Sequence, residues 1–162
     1  MTTINIYKGA TNDTTGTKLY NILTNIGIGT IKNLTINETN TNNQGVITNI
    51  ANLCNNRALN LQRLNFNLNI SNVTNATYAF DNCINLVTLN LQNSNSTNSI
   101  NYDHMFFNCH NLVTINNISS LSTNKLNDVN STNRMFYNCS NLNDINDLCL
   151  DGSATIRILF IL

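Results

Sequence analysis

Ala79-Phe80-Asp81-Asn82-Cys83-Ile84-Asn85-Leu86, Met105-Phe106-Phe107-Asn108-Cys109-His110-Asn111-Leu112 and Met135-Phe136-Tyr137-Asn138-Cys139-Ser140-Asn141-Leu142 are three copies of one pattern, [Ala/Met]-Phe-x-Asn-Cys-x-Asn-Leu. Phe80 and Phe106 lie 26 positions apart, and Phe106 and Phe136 lie 30 apart. Each copy runs on into a spaced apolar frame: Leu86, Leu89 and Leu91; Leu112, Ile115 and Ile118; Leu142, Ile145 and Leu148. Two degenerate copies precede them, Ile31-x-x-Leu34-x-Ile36 and Leu61-x-x-Leu64-x-Phe66. Cys54 belongs to the second of these, displaced by a short insertion around Arg57 and Ala58. Self-similarity at a period of roughly 20–50 residues marks a chain built by stacking small units.

The frame predicts a leucine-rich-repeat solenoid: short parallel β-strands stacked coil on coil, with short helical or 3-10 turns between them. The inward Leu and Ile of one coil cannot be buried within that coil, so coils stack at about 4.8 Å, the spacing of hydrogen-bonded strands. Equivalent residues then fall above one another. The core columns are Phe80, Phe106 and Phe136; Cys83, Cys109 and Cys139; Leu86, Leu112 and Leu142; and Leu89, Ile115 and Ile145. Asn tolerates left-handed backbone angles and can cap backbone groups, so Asn82, Asn108 and Asn138 suit the corners. Residues between the Leu positions point outward along one sheet face. They are Gln62, Arg63 and Asn65; Val87, Thr88 and Asn90; Val113, Thr114 and Asn116; and Asn143, Asp144 and Asn146. This uncharged face of amides and hydroxyls suits hydrogen bonding to a glycan or a protein, and a merely solvated sheet explains the same residues.

Composition narrows the partners. The 162 residues include 38 Asn and 20 Thr, only 10% are charged, and eight basic and eight acidic residues cancel. A nucleic-acid binder carries a basic stripe and a membrane anchor a polybasic cluster, and neither is present. The longest apolar run, Ile158 to Leu162, is far below the ~20 residues that span a bilayer, so no membrane insertion is expected. Low-complexity disorder would explain the Asn, but 41% hydrophobic residues oppose it.

No cofactor or metal is expected, and catalysis is not. His104 and His110 are the only histidines, both within one repeat, and His110 occupies the variable position of Ile84 and Ser140. A Cys109-His110 pair lacks two further metal ligands. Asp144, Asp147 and Asp151 miss the calcium-loop spacing and read as solvated turns. Five cysteines (Cys54, Cys83, Cys109, Cys139 and Cys149) leave at least one unpaired in a monomer. Neighbouring coils bring their Cα atoms near disulfide distance, but a buried reduced ladder is the expectation, because free Cys packs as a small hydrophobe.

Asn72-Val73-Thr74-Asn75-Ala76-Thr77-Tyr78-Ala79-Phe80, with Cys83 and Leu86, resembles the BspA-type leucine-rich repeat of bacterial surface proteins. The resemblance runs from Ile31 to about Leu150. It implies a short helical turn near Asn75–Phe80, a parallel strand at the Leu frame, and a role in adhesion and protein contact without catalysis. This chain departs from the family by replacing most Asp and Ser with Asn, and by showing no export signal at its start.

Residues 1–30 do not fit the repeat and are set apart as an N-terminal capping or attachment segment, leaving 31–162 as a repeat domain of about four to five coils. Ile4-Asn5-Ile6, then Asn12, Asp13, Thr15, Gly16 and Leu19, resemble a motif near the start of tailed-phage baseplate and fibre proteins. Leu19, Ile22, Leu23 and Ile26 hold helical apolar spacing. A strand, a turn and one amphipathic helix covering the first coil is the reading without that resemblance. At the other end, the run containing Ile158, Phe160 and Leu162 is too apolar to lie in water. It is expected to form a last strand, to pack against another subunit, or to continue into a longer chain. With Asn12, Asp13, Thr15, Gly16 and Leu19 it makes up the candidate assembly contacts. The expectation is a non-enzymatic structural and adhesion component of a phage virion (fibre, tail or head decoration). Its partners would be other subunits and a host-surface glycan or protein. A bacterial cell-surface or secreted adhesin is the alternative.

Overall fold

A computed structural model describes residues 1–7, 17–39, 47–92, 100–121 and 132–145. These residues form a five-stranded, all-parallel sheet with few helices. Its strands are β1 (Thr2–Tyr7), β2 (Asn33–Thr39), β3 (Arg63–Asn67), β4 (Thr88–Leu91) and β5 (Thr114–Asn116), in chain order across the sheet. The register follows the apolar frame: Leu34, Leu64, Leu89 and Ile115 stand side by side, and so do Ile36, Phe66 and Leu91. Alternation along each strand sends these residues inward and their neighbours outward, as in the buried Leu64 and Phe66 of β3 between exposed or half-exposed Arg63, Asn65 and Asn67.

Parallel strands need crossovers, commonly helices. A helix serves between β1 and β2, but from β2 onward the described crossovers are stacked turns, and the short helical turn expected at Asn75–Phe80 is not there. Tyr78 has φ 56° and Asn82 φ 55°, which a right-handed helix cannot contain. The same two positions recur in the left-handed region as Asn52, His104 and Arg134 and as Asn56, Asn108 and Asn138. This geometry turns alternate peptide groups along the stack. The N–H groups of Ala76, Tyr78, Phe80 and Asn82 donate to the carbonyls of Asn101, Asp103, Met105 and Phe107 at 2.8–2.9 Å. The carbonyls of Asn75, Thr77, Ala79 and Asp81 accept from Ile50, Asn52, Cys54 and Asn56 at 2.7–3.1 Å. The intervening N–H groups of Ala79, Asp81 and Cys83 close four-residue turns onto Ala76, Tyr78 and Phe80. With Thr77 N–H donating to Asn75 Oδ1, every backbone N–H and C=O from Ala76 to Asp81 is paired, which a buried crossover requires.

Between sheet and turns lies the core. Phe80, Phe106 and Phe136 stack with ring centroids 5.4 Å apart and planes within 10°. Phe66 meets Phe80 edge-on at 6.2 Å. Leu86, Leu112, Leu142, Leu89 and Ile115 are buried, and Ile145 is partly buried against them. Cys54, Cys83, Cys109 and Cys139 are buried free thiols, while Cys149 lies outside the described residues.

The N-terminal segment joins the same sheet: Thr2 to Tyr7 pair in register with Leu34 to Thr39. The amphipathic helix α1 (Thr17–Asn25) buries Leu19 and Leu23. Gly27 follows it at φ 70°, a left-handed exit that a side chain would strain. Arg57, read from sequence as part of an insertion, ties this helix to the first turn. Its guanidinium lies 3.5 Å from the Tyr20 ring centroid and donates to the Leu53 carbonyl (2.8 Å), the Tyr20 carbonyl (3.0 Å) and Thr24 Oγ1 (2.5 Å).

Asn108 combines a left-handed backbone with an amide that bridges its neighbours. Asn108→Ala is expected to cost about 2 kcal/mol, and Asn108→Gly, which keeps the backbone freedom, less than half of that. Urea denaturation of the two variants separates the backbone and amide contributions.

Candidate interaction face

The outward face of the sheet is organised by amide columns. Asn116 Nδ2 donates to Asn90 Oδ1, Asn90 Nδ2 to Asn65 Oδ1 at 2.5 Å, and Asn65 Nδ2 to Thr35 Oγ1 at 2.9 Å. A second column runs from Asn67 to Asn37 (2.9 Å) and on to Asn5 (3.1 Å). In both, the donor belongs to the later strand. Strand spacing near 4.8 Å suits an Asn side chain, which carries donor and acceptor together and so can bond on both sides.

The twelve residues expected on this face divide into three groups. Arg63, Asn65, Thr88, Asn90, Thr114 and Asn116 stand on β3, β4 and β5 and face outward. Gln62, Val87, Val113 and Asn143 form a row at the strand entrances, linked by backbone bonds from Val87 to Gln62, Val113 to Val87 and Asn143 to Val113. Val87 is 37% exposed. Asp144 is exposed beyond that row, and Asn146 lies outside the described residues. Of the assembly candidates, Asn12, Asp13, Thr15, Gly16, Ile158, Phe160 and Leu162 also lie outside them. Leu19 is 3% exposed and packs in the core beneath the first turn. That burial takes Leu19 out of the contact set, where only the likeness to the fibre motif placed it; the amphipathic helix covers this chain's own interior, as its apolar spacing predicts.

Sequence reasoning missed several polar roles. The second Asn of the repeat pattern bonds backward along the stack: Asn85 to the Leu59 carbonyl, Asn111 to Ile84 and Asn141 to His110, at 2.7–2.9 Å. Asn75 and Asn101 cap the turns by accepting from Thr77 and Asp103 N–H groups. Recurrence of Cys-x-Asn-Leu was the available signal for the first set. The corner residues read as structural, Asn82, Asn108 and Asn138, form a third amide column at 2.8–2.9 Å.

The turn side carries a row of rings. Tyr78 stacks on His104 (4.7 Å), His104 meets Phe107 at a tilt (5.2 Å), and Phe107 stacks on Tyr137 (5.0 Å). Among the described residues, His104 Nδ1 and Asp81 Oδ1 are buried without a hydrogen-bond partner. Burial pushes the Asp81 carboxyl above its ordinary 3.8, while the charge of His104 and the Asn82 N–H pull the other way. His110 behaves differently, its exposed ring donating from Nδ1 to the Asn138 carbonyl at 3.0 Å. Among the described residues no group of three or more His, Cys, Asp or Glu is placed to hold a metal, and no helix is long and apolar enough to cross a membrane.

The thiols face carbonyls of the preceding turn: Cys109 Sγ donates to Phe80 at 3.1 Å and Cys139 Sγ to Phe106 at 3.0 Å. A hydrogen bond with Cys54 and burial push the Cys83 thiol up, and burial and Cys139 do the same to Cys109. Protonated, buried thiols are poor nucleophiles. Compared with family models, curated proteins and solved structures, the chain gives no significant match.

Two outcomes are expected. Alkylation of the native protein spares Cys54, Cys83, Cys109 and Cys139, and alkylation in denaturant without reductant labels all four, as read by peptide mass. Asp81 has a raised folded-state pKa, so its protonated form contributes stability below pH ~4 that is lost as pH rises through the folded value. Asp81→Asn should accordingly stabilise the protein by about 1 kcal/mol at pH 7 and have little effect at pH 3, as followed by thermal denaturation.

Proposed function

We infer that the chain is a leucine-rich-repeat solenoid of the BspA type acting by contact rather than chemistry, as a structural and adhesion component of a phage virion. The observation that carries a contact role is the outward face, where neutral amides and hydroxyls are held in columns by their own hydrogen bonds. Such a face meets a partner with little rotamer freedom left to lose, which favours binding. Its partners are other protein subunits and a glycan or protein of the host surface. The virion assignment draws support from the fibre-like pattern at Asn12, Asp13, Thr15, Gly16 and Leu19. A bacterial cell-surface or secreted adhesin is the second reading, favoured by the likeness of Asn72–Phe80 to a bacterial surface repeat.

Immunogold labelling with an antibody to this chain separates the two. Gold on purified particles, at a fixed place on tail, fibre or head, is the expected result. Gold confined to the envelope of uninfected cells assigns the protein to the adhesins.

A further inference from the structure

One end of the sheet face holds a hollow of about 350 Å³ lined by Met1, Asn33, Arg63, Asn65, Thr88 and Asn90. Its hydrogen-bonding capacity is unbalanced. Asn65 and Asn90 each use one N–H in the amide column and accept one bond at Oδ1, which leaves each one further N–H and one further Oδ1 lone pair, in balance. Arg63 adds five N–H donors and no acceptor. Its backbone N–H donates to the Lys32 carbonyl at 3.1 Å, while the exposed guanidinium has no hydrogen-bond or ion-pair partner among the described residues. The described carboxylates are placed elsewhere. Glu38 accepts from Asn69 N–H, Asp103 from Asn133 N–H, Asp81 is buried on the turn side, and Asp144 lies past Thr114 at the far end of the sheet. The Arg63 guanidinium therefore gives the hollow its excess of donors, as the one cationic side chain among neutral ones.

We propose that this hollow binds a carboxylate-bearing saccharide residue, a uronic or sialic acid. Arg63 pairs with the carboxylate through its planar fork, and the free amide N–H groups of Asn65 and Asn90, with the Thr88 hydroxyl, take ring hydroxyls and the ring oxygen. One anion beside several hydroxyls, which both donate and accept, is the chemistry of an acidic sugar and matches one cationic side chain beside amides and a hydroxyl that do the same. An acidic peptide would meet Arg63 with its carboxylate and the amides with its backbone groups, and titration separates it from a sugar. The inference rests on the reading of this sheet face as a contact surface and names what the face takes.

The test is a titration of the ¹⁵N-labelled full chain, following the Asn65 and Asn90 side-chain amides and the Arg63 Nε resonance. The probes are trigalacturonate and sialyllactose, with maltotriose and lactose as neutral counterparts and a Glu-rich peptide as the protein-like acid. The expected result is a shift with an acidic sugar that weakens as salt is raised. Arg63→Gln, with an otherwise unchanged spectrum, should weaken binding by about tenfold or more. Equal binding of neutral sugars, or no change in Arg63→Gln, overturns the carboxylate assignment while the contact face stands. Shifts with the peptide alone overturn it in favour of a protein partner. Silence towards every probe overturns it together with the contact role of this face.

Discussion

A parallel strand can be followed by another only if the chain returns across the molecule, and each returning peptide group must find a hydrogen-bond partner. A helix would satisfy those groups internally. From β2 onward the return is made by turns, and their peptides are paired with the turns of the neighbouring repeats, N–H towards the later one and C=O towards the earlier one. That constraint governs what surrounds it. It requires left-handed backbone at two positions of every turn, held at φ 53–59° in eight residues from Asn52 to Asn138. It also fixes how far one repeat can sit from the next, and so what side chains can stack.

The side chains meet that spacing in two ways. Phe80, Phe106 and Phe136 stack face to face, and Leu and Ile close the core behind them. Outside, Asn is the residue that can repeat at every level, because an amide donates on one side and accepts on the other. A charged residue in such a column would meet its own kind about 4.8 Å away. The low charge and high Asn content follow from the same geometry. The columns end where the pattern changes: Thr35 terminates one, and Arg63 interrupts the row continued by Thr88 and Thr114.

Much of this was legible in the chain itself. Spacing of Leu34, Leu64, Leu89 and Ile115 predicts the strand register, and the Phe-x-x-Cys recurrence predicts the aromatic and thiol columns. The helix at Thr17–Asn25 follows from the apolar periodicity of Leu19, Ile22, Leu23 and Ile26. The helical turn expected at Asn75–Phe80 comes from the likeness to a known repeat, and no residue type there marks the departure: Tyr78 and His104 adopt left-handed angles that their side chains do not favour. The likeness to a fibre motif puts Leu19 among the contacts, whereas its apolar spacing with Leu23 predicts a helix face covering this chain's own interior, where both are buried.

Period and composition together specify which residues lie above which, because a stack permits one spacing and each apolar column must stay inside it. They do not specify what each Asn does. Asn82 belongs to an amide column, Asn85 bonds a carbonyl, Asn75 caps a turn, and in sequence they are alike. The difference comes from a neighbour about one repeat away and from the backbone angles at the site. The donor-rich hollow at Arg63 has the same origin. Its imbalance exists only once the fold has engaged Glu38 and Asp103 elsewhere and buried Asp81, leaving the Arg63 guanidinium among neutral groups.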